Sequence, residues 1–282
     1  MIETWKFAME AKSVVTEDGI ELSYCELGEE NEEIIITGAF YFHTWLPVVT
    51  ELAKKYHIYG YVMRFGDGGG TQFNEDGTIH WSKQWGDDLY NFAKALGIEK
   101  FNYLGKCHGT VPGWYMIKEH PEMINSFCSF YLAPRIMEPN SDQWGDTLKM
   151  SLEDNCMRTQ RGGKAGVAKK VAEIKALSAG PAEYGKNPPD AIYHTGSALF
   201  WDTPEECLEF AKNVDIPICY MFGTDDILFQ DWKDNDIEMI LNTKRARTVI
   251  IQGERHLMCM DAADRIASEA DFFIQECKKN YQ

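Results

Sequence analysis

The sequence predicts an α/β fold, a mainly parallel β-sheet with helices on both faces and an inserted helical lobe. Three observations predict it. Between Ile34 and Leu132, short apolar runs rich in Ile, Tyr and Phe alternate with longer runs whose apolar residues recur every three or four positions. That is the pattern of strands alternating with amphipathic helices. From about Pro134 to Val214 the strand-like runs stop and only helical segments follow, and strand-like runs then resume at Ile216–Phe222 and Thr248–Ile251. The expected organisation is therefore a core in two parts, 1–134 and 215–282, with a helical cap at 135–214.

Taken in order, Lys12–Val15 and Ile20–Cys25 read as strands joined by a hairpin turn at Asp18-Gly19. Ile34–Thr37 is nearly all Ile, which suits a strand buried on both faces, and it ends in the small-residue loop Thr37-Gly38-Ala39-Phe40. Trp45, Leu46, Val49, Leu52 and Ala53 then fall at helical spacing. The next strand, Ile58–Met63, runs into Gly66-Asp67-Gly68-Gly69-Gly70. This stretch lacks the Lys-Ser/Thr ending of a phosphate loop and no helix follows it directly, so it reads as a plain flexible loop. Trp81, Trp85, Leu89, Phe92 and Leu96 define a helix stopped by Gly97 before the strand Phe101–Leu104. A helix-like run, Pro112–Lys118, ends at His120-Pro121, and Phe127–Leu132 makes another strand. In the lobe, helical segments fall near 141–158, 164–178, 189–200 and 204–212. The last has Thr203 as cap, Pro204 at the first position and Glu206 closing a capping box. A closing helix carries Ile266, Ala270, Phe273 and Ile274 on one face.

With 282 residues the chain has room for a sizeable core, and its formal net charge of -16 argues against nucleic acid, whose phosphates need clustered Lys and Arg. No apolar run approaches the roughly 20 residues of a membrane span. The start, Met1-Ile2-Glu3-Thr4-Trp5-Lys6, lacks the basic and apolar regions of a secretory signal, so the expected location is the cytoplasm, away from membranes. The cysteines at 25, 107, 128, 156, 207, 219, 259 and 277 form no C-x-x-C pair, and several lie in apolar runs. They read as reduced core residues, with no metal site and no cofactor expected. The expected partner is a small-molecule substrate, with a homo-oligomer left open.

The chemistry centres on Leu104-Gly105-Lys106-Cys107-His108-Gly109-Thr110, between an apolar strand and a helix. Glycines on both sides of Cys107 suit a sharp strand-to-helix turn that leaves no room for a Cβ and pushes the thiol clear of the backbone. The following helix directs its N-terminal N–H groups at the same spot, which favours a thiolate. A thiol nucleophile needs a base, and the base a carboxylate to fix its tautomer. Asp225 and Asp226 follow one late strand and His256 follows the other, all beyond carboxyl ends, where an open parallel sheet builds its sites.

With these residues, the chain from about residue 20 to the end resembles an α/β-hydrolase of the capped type, with a cysteine at the nucleophile elbow as in dienelactone hydrolases. The elbow matches Gly105-Lys106-Cys107-His108-Gly109, and the family order of nucleophile, acid and histidine matches Cys107, Asp226 and His256. The family's Gly-x-x-Asp, with Gly223 three residues before, selects Asp226 over Asp225. Its His-Gly loop matches Thr37-Gly38-Ala39, so the resemblance implies an oxyanion hole made by the backbone N–H groups of Ala39 and His108. Thr37 stands where the family has His, and Val62-Met63-Arg64-Phe65-Gly66-Asp67-Gly68-Gly69 departs from its Asp-x-x-Gly-x-Gly-x-Ser stretch. Cysteine also replaces the usual serine, as it does in dienelactone hydrolases and polyhydroxyalkanoate synthases. Phe40, His43 and, on the lobe, Trp201 are the candidate substrate contacts. His108 is expected to line the pocket, and Lys106 is given no role. The implied activity is hydrolysis of an ester, lactone or thioester through a covalent thioester. An acyltransferase or synthase, a carbon–carbon lyase and a non-catalytic ligand-binding protein are its rivals on the same fold.

Overall fold

The computed structural model describes residues 12–39, 42–63, 81–131, 133–134 and 203–281, with a few positions between 165 and 172. The eight strands are β1 (Lys12–Val15), β2 (Glu21–Leu27), β3 (Ile34–Ala39), β4 (His57–Val62), β5 (Phe101–Lys106), β6 (Ile124–Phe130), β7 (Ile218–Gly223) and β8 (Ala246–Ile251). They stand in the order β1-β2-β4-β3-β5-β6-β7-β8. β2 pairs antiparallel with β1 and β4, and every other pair is parallel. The helices are α1 (Phe42–Leu52), α2 (Trp81–Ala95), α3 (Thr110–Glu119), α4 (Pro204–Asn213), α5 (Ile227–Asn242), α6 (Met258–Asp261) and α7 (Ala263–Tyr281). This is the α/β architecture read from the alternating runs.

The Ile run shows why the sheet is covered on both sides. Successive strand residues face opposite ways. Ile35 joins a core with Trp45 of α1 and Phe273 of α7, whereas Ile36 joins a second core with Phe92 of α2 and Trp114 of α3. Each such buried side chain contributes about 1.5–3 kcal/mol. The chain leaves β3 through α1 to β4 on one flank, then returns through α2 to β5 on the other. The carboxyl ends of β3 and β5 therefore border a topological switch point, where open α/β sheets leave a crevice.

The hairpin at Asp18-Gly19 closes through Thr16 N–H to the Ile20 carbonyl and Gly19 N–H to the Thr16 carbonyl, both 2.9 Å. β6 differs from expectation by starting at Ile124, and Tyr131, placed in that strand by its apolar surroundings, lies beyond its end with φ 78°. α5 has no counterpart in the sequence reading. The expected lobe segments near 141–158, 164–178 and 189–200 fall almost wholly outside the described residues. The segment at 204–212 is described, and it belongs to the core layer. Cys207 and Ala211 of α4 are buried in the same cluster as Tyr220 and Phe222 of the sheet and Met239 of α5. Thr203 Oγ1 caps α4 by accepting from Glu206 N–H at 3.1 Å. Thr203→Ala is expected to cost about 1 kcal/mol in thermal or denaturant unfolding.

At the β1–β2–β4 edge, Glu26 accepts from Lys12 Nζ at 2.7 Å and stands 2.6 Å from His57 Nε2. Burial pushes its pKa up, but the hydrogen bonds with Lys12 and His57 outweigh this and hold the carboxyl below its ordinary 4.5. A carboxylate depressed on folding adds stability above its unfolded pKa and loses it as pH falls through the folded one. The stability difference between the parent and Glu26→Gln is thus expected to be largest near neutrality and to shrink below pH 4.5 in denaturant titrations.

Candidate active site

β5 ends at Lys106 and passes through a single tight turn, Cys107–Gly109, into α3. Cys107 sits at φ 52°, in the left-handed region that side chains avoid. Such strain costs about 1–3 kcal/mol and persists only where the surroundings enforce it. Here they do. A Cβ on Gly105 would stand 2.6 Å from the Gly109 carbonyl oxygen, and one on Gly109 would stand 2.2 Å from the Gly38 carbonyl oxygen. Only glycines let the turn fold back on its own strand and touch the end of β3. Thr110 Oγ1 closes the turn by donating to the Cys107 carbonyl at 2.7 Å. Lys106 Nζ donates to Thr44 Oγ1 of α1 at 2.5 Å. Cys107 itself is partly buried against the core that contains Tyr131, Leu257 and Met258.

The loops after β7 and β8 are laced together by their backbones. Thr224 N–H donates to the Ile251 carbonyl at 3.1 Å and Asp225 N–H to the Glu254 carbonyl at 2.9 Å. Gly253 N–H returns a bond to Thr224 Oγ1 at 2.8 Å. Gly223 permits the approach, since a Cβ there would lie 2.3 Å from the Glu254 oxygen. The lacing turns Asp225 outward, where it accepts from Thr224 Oγ1 at 3.0 Å, and turns Asp226 inward to full burial. Asp226 Oδ2 lies 3.0 Å from Nδ1 of the buried His256. With Nδ1–H donating to the carboxylate, the lone pair of the neutral imidazole sits on Nε2. Tyr131, at its strained φ, packs its fully buried ring on the imidazole, with centroids 4.5 Å apart and planes at 37°. Tyr131 was missed in the sequence because a tyrosine within an apolar run reads as core.

Of the expected oxyanion donors, Ala39 is the last residue of β3 and His108 the middle of the turn after β5. Their neighbours Gly38 and Gly109 are in contact, so the two backbones meet at the switch point. In place of the family histidine, Thr37 is fully buried and accepts from Trp45 Nε1 at 2.7 Å. His43 lies in the first turn of α1, while Phe40 and Trp201 fall outside the described residues. Among the described residues no group of three or more His, Cys, Asp or Glu is arranged to hold a metal ion. No helix among them is long and apolar enough to cross a membrane.

Seven cysteines are described, all of them free. Burial pushes the thiols of Cys25, Cys207 and Cys277 up to about 12 and raises that of Cys128 as well. Cys107 differs in being only partly buried and in standing at the start of a helix. Brief iodoacetamide treatment at neutral pH, followed by peptide mapping, is expected to label Cys107 well ahead of those four.

Strand order, a strained Cys107 turn at the switch point and an Asp–His pair in the loops after the last two strands together define an α/β-hydrolase fold. Solved structures similar to the chain have this fold. One is the enol-lactonase from Burkholderia xenovorans LB400, with 17% identity and a TM-score of 0.71 over 94% of this chain and 100% of that one. A thermophilic esterase from Thermogutta terrifontis has 13% identity and a TM-score of 0.68 over 95% and 99% of the two chains. An epoxide hydrolase from Vigna radiata has 18% identity and a TM-score of 0.66 over 95% and 98%. No protein-family model matches the chain, and no curated protein matches it.

Proposed function

We propose that this protein is a cytoplasmic, thiol-dependent hydrolase of small to medium ester, lactone or thioester substrates, working through Cys107, His256 and Asp226. The observation that carries the reading is the buried Asp226–His256 pair at the same sheet edge as the strained Cys107. A lactonase and an esterase among the similar structures fit this substrate class. His256 Nε2 takes the thiol proton, and the sulfur attacks the acyl carbonyl carbon. The N–H groups of Ala39 and His108 hold the resulting oxyanion. As the carbonyl re-forms, the bond to the leaving group breaks and imidazolium gives that group its proton. Water, deprotonated by His256, then attacks the thioester, the carbon–sulfur bond breaks, and acid and thiol are released. Asp226 fixes the tautomer and offsets the imidazolium charge throughout. Phe40, His43 and Trp201 would contact the acyl chain, Trp201 from the helical cap expected at 135–214.

Intact-protein mass after brief exposure to an activated acyl ester tests the reading. The expected result is one acyl adduct, absent from Cys107→Ala and longer-lived in His256→Gln. A protein that turns over esters with no adduct, or whose Cys107→Ala variant keeps its rate, would refute the covalent route. Added thiol or alcohol acceptors should leave free acid as the main product; acyl transfer to them would mark a transferase instead.

A further inference from the structure

The two amides assigned to the oxyanion come from separate segments, one ending β3 and one following β5, and their spacing must be held to a few tenths of an ångström to act together. Beneath both lies Tyr103 of β5, fully buried. Its hydroxyl donates to the Gly109 carbonyl at 2.7 Å, and Gly109 in turn is pressed against the Gly38 carbonyl oxygen. Gly38 precedes Ala39 and Gly109 follows His108, so the side chain that grips Gly109 fixes the contact between the neighbours of the two donors.

The peptide plane sharpens this geometry. The carbonyl of Gly38 and the N–H of Ala39 belong to one rigid trans peptide and point in opposite directions. Because the Gly38 oxygen is pressed against Gly109, the direction of the Ala39 N–H is tied to the position of the elbow. We propose that Tyr103 is a positioning residue that sets the spacing of the oxyanion hole, its phenol holding Gly109 where it meets the Gly38 carbonyl. The proposal rests on the reading of Ala39 and His108 as oxyanion donors. Burial raises the Tyr103 pKa, so the phenol stays protonated and remains a donor through the neutral and mildly alkaline range.

The test compares two reactions of the same thiol in the parent and in Tyr103→Phe, which keeps the ring and removes the hydroxyl. Acylation of Cys107 by an activated ester passes through an oxyanion; alkylation by iodoacetamide does not. Tyr103→Phe is expected to slow acylation and lower kcat by about tenfold to a hundredfold with KM within about twofold, while alkylation keeps its parent rate. Acylation at the parent rate overturns the proposal. So does an equal slowing of both reactions, which would show that the thiol itself had moved. A parent protein that accepts no acyl group overturns the hydrolase reading and this inference with it, whereas an acylated parent with an equally reactive Tyr103→Phe overturns this inference alone.

Discussion

Asp226→Asn is expected to lower kcat by about a hundredfold to ten-thousandfold, while Asp225→Asn leaves it within about twofold. The two residues are adjacent and chemically identical, so the contrast tests the geometry of the loop rather than the presence of a carboxylate. An asparagine at 226 can turn its amide N–H toward Nδ1, which moves the imidazole proton to Nε2 and leaves the wrong nitrogen facing the thiol. Full burial of Asp226 keeps water from substituting for the lost charge. Asp225, exposed and bonded to Thr224, has no path to the imidazole. Steady-state kinetics with one activated ester decide the matter. Equal losses in the two variants would mean that the laced loops do not select Asp226 in the working protein.

The second large effect separates chemistry from strain at Cys107. Cys107→Ala should reduce turnover to the level of catalysis without a nucleophile, a loss of about 10⁴ or more. Cys107→Ser keeps the turn but replaces a group that ionises readily with one that must lose its proton during attack, and a loss of about 10²–10³ is expected. Cys107→Gly abolishes activity as well, yet it removes the left-handed penalty of about 1–3 kcal/mol. Its melting temperature should therefore rise by a few degrees while that of Cys107→Ala does not. A Cys107→Gly protein no more stable than the Cys107→Ala protein would show that the turn is not strained.

Much of this was legible in the residues, for physical reasons that also explain the gaps. β3 and β7 stood out because strands buried on both faces carry apolar side chains without a break. The elbow stood out because two glycines at fixed distance from a thiol have few other uses. α5 was missed because its apolar and acidic residues are poorly segregated. Asp236 is fully buried there, while Ile237 and Leu241 are 47% and 78% exposed. Asp226 could be told from Asp225 only by family resemblance, since the choice depends on bonds between loops from different strands. Tyr103 and Tyr131 were invisible as site residues. The partner of one is a carbonyl on the far side of the turn, and the partner of the other is an imidazole 125 positions along the chain.

The sheet order also fixes the sequence in which the proposed triad assembles during synthesis. β3, β4 and β5 are neighbours, so the glycine contact that holds the Cys107 turn can form once the chain through the start of α3 has left the ribosome. Asp226 and His256 arrive on the last two strands, and neither can be placed until β7 has docked on β6. The Cys107 turn can thus be in place well before Asp226 and His256 are made, and the proposed triad assembles only after both late strands have docked.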